Sequence, residues 1–139
     1  MPETSPQLPI AYRGRRTEDG TAFVEALTAI GAWHLLDPRL DLRNHSPTGF
    51  EWGYGGSGPA QLALALAASR LPDDLALILY QRLKFKLVGR LCRQWRFQAT
   101  YLDDLLARII AADAAADARE ERDPGAPSTS AAAPEVAAS

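Results

Sequence analysis

The sequence predicts an α+β fold, in which a small, mostly antiparallel sheet packs against two or three helices. Three observations support this prediction. Residues 10–52 contain short segments in which apolar and polar residues alternate, as they do in half-buried strands. Residues 59–110 mostly carry apolar side chains at helical spacing. A glycine-dense stretch, residues 44–62, separates the two regions and marks the place where strands give way to helices.

The length of 139 residues suits one domain with its own core. We predict this domain over residues 10–112, a disordered arm over residues 1–9, and a tail over residues 113–139 that begins as helix and then becomes disordered. No apolar run is long enough to span a bilayer, and no secretory signal is visible. The one cysteine, Cys92, suits a reducing compartment, so the sequence predicts a cytoplasmic protein.

The predicted strands begin with a hairpin. Residues 10–16 and 21–27 flank an Asp-Gly pair, which tolerates the positive φ that a tight turn requires. The segment 28–36 fits either an extension of the second strand or a helical turn. Alternation predicts three further short strands, at residues 39–43, 50–52 and 94–98.

Three helices are predicted after the glycine-dense stretch. In residues 59–70 Leu and Ala alternate, but both are strong helix formers and Pro59 suits the first helical position. Because this helix is apolar on all sides, it should lie centrally in the core. A second helix begins at Asp73 and carries a basic stripe formed by Arg82, Lys86 and Arg90. A third begins near Thr100, with Asp103 completing a capping box.

One stretch, residues 39–62, reads RLDLRNHSPTGFEWGYGGSGPAQL. Together with YRGRR at residues 12–16 and LYQRLKF at residues 79–85, it resembles an uncharacterised family of small proteins from bacteria, their phages and plasmids. The resemblance covers roughly residues 12–110. It implies a fold shared with relatives and a mobile-element context, and it transfers no biochemical activity.

The segment Gly53–Gly58 has the spacing G-x-G-x-x-G, which has two interpretations. A phosphate could lie against backbone N–H groups at the start of the following helix. Alternatively, the glycines only permit a tight turn and a close approach of the helix. A dinucleotide site of the Rossmann type is disfavoured, because no strand–helix–strand unit follows and Pro59 removes one N–H donor.

An imidazole, a hydroxyl and a carboxylate lie close in sequence at His45, Ser46 and Glu51. Neighbours in a chain rarely bring a base and a nucleophile within hydrogen-bond reach, so a polar turn is favoured over a catalytic site. The isolated histidines and the single cysteine have no metal-ligand spacing. The sequence therefore predicts no catalytic residue, no metal and no cofactor.

The aromatic residues of the glycine-dense stretch belong either to the core or to a stacking surface. With the arginines at positions 13, 15, 16, 39 and 43 they could form a basic and aromatic surface for nucleic acid. The candidate binding residues are Arg43, Asn44, His45, Ser46, Glu51, Trp52, Tyr54, Gly55, Gly56 and Ser57.

The sequence favours a non-enzymatic binding or adaptor protein. The resemblance implies that it is of phage or plasmid type and acts on a host or phage macromolecule in counter-defence or regulation, with a host or phage protein as its partner. The alternative is nucleic-acid or nucleotide binding through the Gly53–Gly58 loop and adjacent arginines. Residues 1–98 carry 12 basic and 9 acidic side chains and residues 99–139 carry 3 and 8, so the body is mildly basic. No membrane partner is expected, and the oligomeric state does not follow from the sequence.

Overall fold

The computed structural model describes residues 8–122 of the chain, with side chains up to residue 119. The chain forms two compact units, residues 1–109 and residues 110–139. In the second unit, the described residues from 110 to 122 are helical. The predictions made for residues 1–7 and 123–139 lie outside the described residues.

The first unit contains a four-stranded antiparallel sheet and the helices that pack on it. The strands are β1 (Ala11–Arg16), β2 (Ala22–Leu27), β3 (Trp33–Leu35) and β4 (Trp95–Gln98). The helices are α1 (Ser57–Ala68), α2 (Asp73–Lys86) and α3 (Ala99–Arg122), with a 3₁₀ turn at Val88–Arg90. The strand order is β3-β2-β1-β4, so β3 and β4 form the two edges. The predicted α+β class, with an antiparallel sheet and three helices, is confirmed.

The predicted hairpin is formed by β1 and β2. Its turn contains Gly20 with a φ of 90°, and the Asp19 carboxylate accepts the Thr21 N–H at 3.1 Å. The undecided segment 28–36 contains a second tight turn at Gly31, with a φ of 92°, and then β3. The edge strand predicted at residues 94–98 is β4, which pairs with β1.

Two of the predicted strands are wrong. Residues 40–42 form a turn, in which Arg39 has a φ of 56° and its carbonyl accepts the Leu42 N–H at 3.0 Å. Residues 50–52 have no regular structure. Neither segment can join the sheet beside β1, because β2 and β4 already occupy both of its edges.

The core is centred on α1, as predicted. Every residue of α1 from Gly58 to Ala67 is buried, and α1 packs along α2. Tyr12 of β1 is buried, and its hydroxyl lies 2.6 Å from the Ser69 hydroxyl at the end of α1. This hydrogen bond fixes the inner side of the sheet to the helical layer.

The predicted capping box at the start of α3 is wrong. The helix begins at Ala99, so Thr100 lies inside it. The Asp103 carboxylate instead accepts two hydrogen bonds from the Arg70 guanidinium, both at 2.8 Å. Arg70 also donates to the Pro9 carbonyl at 2.6 Å, so one side chain connects the end of α1, the start of α3 and the entry to β1.

Candidate functional site

The loop between β3 and α1 carries most of the predicted site residues, and one side chain attaches it to the core. Gln61 of α1 is completely buried. Its Oε1 accepts the N–H groups of His45 at 2.7 Å and Ser46 at 3.1 Å. Its Nε2 donates to the carbonyls of Pro38 at 2.6 Å and Arg43 at 3.0 Å. Both donors of the amide and its oxygen are satisfied, so α1 dictates the conformation of this loop.

The imidazole, hydroxyl and carboxylate that lie close in sequence do not form one site. The Nε2 of His45 lies 2.7 Å from the Tyr80 hydroxyl, and the Ser46 hydroxyl donates to the Gly49 carbonyl at 2.6 Å. Glu51 is bound elsewhere. A nucleophile needs a base within hydrogen-bond reach, and each of these groups is bonded to a different partner.

Glu51 pairs with Arg16 of β1. Its two oxygens accept the guanidinium N–H groups at 2.5 and 3.3 Å. The Arg16 guanidinium carbon lies 4.5 Å from the centre of the Trp52 ring. Trp52 is only 3% exposed, and its Nε1 donates to the Arg93 carbonyl at 3.2 Å. Trp52 is therefore a core residue that supports this ion pair.

The glycine loop packs closely against its neighbours. Gly53 has a φ of 89°, and its N–H donates to the Val88 carbonyl at 3.0 Å. A Cβ atom at Gly58 would lie 2.6 Å from the Glu51 Cβ. These contacts favour the interpretation in which glycines permit a turn and a close approach.

The remaining predicted site residues differ in exposure. Exposed are Arg43, Asn44, Tyr54, Gly55 and Ser57, and partly buried are His45, Ser46, Glu51 and Gly56. Of the predicted basic stripe, Arg82 and Lys86 are exposed on α2, whereas Arg90 is exposed in the 3₁₀ turn that follows it. The stripe does not continue along one helix, because α2 ends at Lys86.

A second surface combines arginines with aromatic rings. We define the outer sheet face as the side of the sheet opposite the buried Tyr12 and Val24. It is formed by the strand residues that alternate with these two, together with the partners of those alternating residues in register. Its members used below are Arg13, Arg15, Phe23, Glu25, Trp33 and Arg96. Of these residues Arg15 and Arg96 are exposed, and the other four are partly exposed.

The rings of the outer sheet face lie against guanidinium groups. The Arg13 guanidinium carbon lies 3.9 Å from the centre of the Trp33 ring, and that of Arg96 lies 5.3 Å away. The Arg15 guanidinium carbon lies 5.7 Å from the Phe23 ring. These are cation–π contacts, which hold the cations in place on a half-exposed aromatic surface.

Glu25 is the acid of the outer sheet face. Its Oε1 accepts the Nε–H of Arg13 at 2.9 Å and that of Arg15 at 3.3 Å. Burial alone would raise the pKa of Glu25, but the hydrogen bonds and charges of these two arginines lower it below its usual value. Three cations and one anion leave the outer sheet face positive.

We expect the Glu25 ion pairs to make stability depend on pH. Because the folded-state pKa of Glu25 is lowered, its contribution is present at neutral pH and is lost as the pH falls through that pKa. Glu25→Gln should lower the urea midpoint at about pH 7, and the difference should shrink below about pH 4. The exposed Glu18 provides the control: Glu18→Gln should leave the midpoint unchanged at both values. A constant difference between Glu25→Gln and the parent chain would contradict this expectation.

The basic residues of the body are concentrated in α2 and in the segment that follows it. Residues 75–102 contain six basic residues and no acidic residue. Among the described residues, the ion pairs use Arg13, Arg15, Arg16, Arg39 and Arg70. None of them uses Lys84, Lys86, Arg90, Arg93 or Arg96. These five residues therefore contribute positive charge that no ion pair among the described residues neutralises.

The family of this chain follows from the comparison of its sequence with models of protein families. The sequence profile of the family of unknown function DUF6166 matches residues 12–108, which are most of the chain and nearly all of the first unit. The chain belongs to this family. Searches of curated proteins and of solved structures find no match.

Two further properties of the DUF6166 chain concern membranes and metal ions. Over residues 8–122, no helix is both long and apolar enough to cross a membrane. Over the same residues, no three His, Cys, Asp or Glu side chains cluster in a way that could hold a metal ion.

The sequence contained signals for the residues that it did not single out. Gln61 is the one polar residue in a run of Leu and Ala, which indicates a buried polar role for its amide. Arg96 alternates with Trp95 and Phe97 in a predicted strand, so its side chain is expected on the sheet face opposite to theirs. Trp33 lies in the undecided segment, and its place beside Arg13 in the DUF6166 chain depends on the register of β3.

Proposed function

We propose that the chain is a non-enzymatic binding protein whose outer sheet face binds single-stranded nucleic acid. One observation carries this proposal: the partly exposed Trp33 ring lies beneath the guanidinium groups of Arg13 and Arg96, on a sheet face whose charged and aromatic members are partly or fully exposed. Guanidinium planes stack on unpaired bases and also bind phosphates, so the arginines that the Trp33 ring holds in place can make both contacts.

The aromatic rings of the outer sheet face favour a single strand over a duplex. In a duplex the flat faces of the bases are stacked on one another, whereas a single strand can place them on protein rings. The rings of Trp33 and Phe23 lie on neighbouring strands, so more than one base can be accommodated. The pairing of Glu25 with Arg13 and Arg15 keeps these arginines positioned between the rings.

A binding role rather than catalysis is supported by the separate hydrogen bonds of His45 and Ser46, which do not pair this imidazole with this hydroxyl. The proposal also includes a role in counter-defence or regulation in phages or plasmids. That context rests on the resemblance in sequence alone. The macromolecule on which the chain acts is, in this proposal, an RNA or DNA strand of the host or phage.

We expect Trp33→Ala to weaken the binding of labelled single strands of about 15 nucleotides by about tenfold, because the ring that holds both guanidinium groups is lost and one stacked base is worth about 1–3 kcal/mol. Fluorescence anisotropy with oligo-dT and oligo-U measures this loss, and a duplex of the same length should bind more weakly. The control is Phe85→Ala, which removes an exposed ring on α2. If both variants lose affinity equally, the outer sheet face is not the binding surface. If the parent chain prefers the duplex, the proposed binding of single strands is wrong.

The same assay tests the arginines. Three phosphate contacts, from Arg13, Arg15 and Arg96, correspond to a slope of log affinity against log salt of about −2. Arg96→Gln should reduce the magnitude of this slope, whereas Arg108→Gln, which removes an exposed arginine of α3, should leave it unchanged. A slope that is insensitive to Arg96→Gln contradicts the proposal.

A further inference from the structure

A groove of about 530 Å³ runs beside the edge strand β4. It is lined largely by apolar and aromatic side chains from three elements: Leu87 and Leu91 after α2, Trp95 and Phe97 of β4, and Tyr101 of α3. Tyr101 is 54% exposed, although its ring lies 5.7 Å from that of Phe97. The groove therefore offers an apolar surface next to an edge of the sheet.

The backbone of β4 has hydrogen-bonding groups that the sheet does not use. β4 pairs with β1, and the Ala99 N–H donates to the Ile10 carbonyl at 2.9 Å. Hydrogen-bonded pairs alternate along an antiparallel ladder, so residues 95, 97 and 99 direct their backbone groups to β1. The N–H and C=O of Arg96 and the N–H of Gln98 then point to the open edge. They are spaced to accept another strand.

The charge beside the groove indicates the chemistry of that strand. Arg96 lines the groove and makes no ion pair with a described carboxylate. Arg90 and Arg93 are exposed in the segment between the groove residues Leu87 and Trp95. No acidic residue occurs between Asp74 and Asp103. A basic edge of this kind is complementary to acidic side chains.

We propose that the β4 groove binds an extended, acidic segment of a partner protein, which adds to the sheet as a fifth strand beside β4. Side chains alternate along such a segment, so apolar ones enter the groove between Tyr101 and Leu91 while acidic ones approach Arg96. This site takes a protein partner and is separate from the nucleic-acid surface, with which it shares only Arg96.

The rings of the groove fit a peptide better than bases. The Phe97 and Trp95 rings are stacked at 5.1 Å with an interplanar angle of 13°, and the Trp52 ring meets Trp95 at 88°. Trp95 and Phe97 thus cover one face of each other, and the Trp52 and Tyr101 rings flank them, which leaves mainly ring edges for aliphatic side chains. An oligonucleotide also lacks the alternating donors and acceptors that an open strand edge requires.

Titration of the ¹⁵N-labelled full chain with the peptide acetyl-Glu-Val-Glu-Val-Glu-Val-amide tests the proposal. We expect NMR shifts at residues 87–101, and slower exchange of the Gln98 amide hydrogen. The matching peptide with Lys in place of Glu should bind at least about tenfold more weakly. The proposal is overturned if the acidic peptide causes no shifts, if its shifts lie at Phe23 and Trp33 instead, or if oligo-dT rather than the peptide shifts Leu91 and Tyr101.

Two pairs of variants locate the contact. Gln98→Pro removes the outward N–H and should weaken peptide binding about tenfold, whereas Gln98→Ala keeps this N–H and should bind as the parent chain does. Tyr101→Glu, at an exposed position, should weaken binding at least as much, and Tyr101→Phe should not. Peptide affinity that is unchanged in Tyr101→Glu, or in a folded Gln98→Pro chain, refutes the groove. Trp33→Ala should leave peptide binding intact, so the two proposed sites can fail independently.

Discussion

Gln61→Leu is expected to destabilise the fold by about 3 kcal/mol. Leucine has a similar volume, but it cannot replace the four hydrogen bonds that the amide makes to the loop between β3 and α1. Leaving a buried donor or acceptor without a partner costs about 1–3 kcal/mol, and His45 and Ser46 are only partly exposed. Urea denaturation measures the loss, and hydrogen exchange at the amides of His45 and Ser46 should become faster.

The matched control is Gln81→Leu, which makes the same substitution at an exposed position of α2. Its effect should stay within about 0.5 kcal/mol, as is usual for surface changes. Equal midpoints for the two variants would mean that water replaces the Gln61 amide without cost. The loop would then be independent of α1.

Gly14→Ala is expected to cost about 2 kcal/mol. A Cβ atom on this residue of β1 would overlap three atoms of the Trp95 ring, so the ring has to move. Overpacking of this kind costs about 1–3 kcal/mol. The ring cannot move freely, because it is stacked on Phe97 and meets the edge of Trp52.

Thermal denaturation with tryptophan fluorescence measures both the loss of stability and the displacement of the ring. Gly55→Ala is the control, because no atom lies within 4 Å of a Cβ at that position. It should be neutral. If Gly14→Ala is as stable as Gly55→Ala and leaves the fluorescence unchanged, the contact between Gly14 and Trp95 is looser than the structure indicates.

Local patterns were sufficient for the elements whose signal lies within a few residues. The Asp-Gly pair predicts the hairpin, and the Leu and Ala run predicts the buried α1. β3 has only three residues, which is too short for alternation to distinguish a strand from a turn. At residues 39–43 the alternating charged side chains do not indicate a strand, because Arg39 forms ion pairs with Asp41 and with the distant Asp73. Alternation alone cannot show this.

The candidate site depended more on contacts between distant residues. His45 and Ser46 are neighbours in sequence, but His45 bonds to Tyr80, which lies 35 residues away. Glu51 likewise reaches Arg16. The outer sheet face requires the register of the strands, because Trp33 meets Arg13 only once β3 pairs with β2. Residues that are close in sequence were therefore enough to locate the loop between β3 and α1. The outer sheet face can be located only from the pairing of strands.

The ion pairs of the described residues all use arginine, and the only lysines of the chain are Lys84 and Lys86. Both lie in the last turn of α2, immediately before the groove residue Leu87. Amine-directed reagents can consequently attach a dye or a crosslinker at this end of α2 without breaking an ion pair. Such a label reports on the neighbourhood of β4 while the electrostatic framework of the fold stays intact.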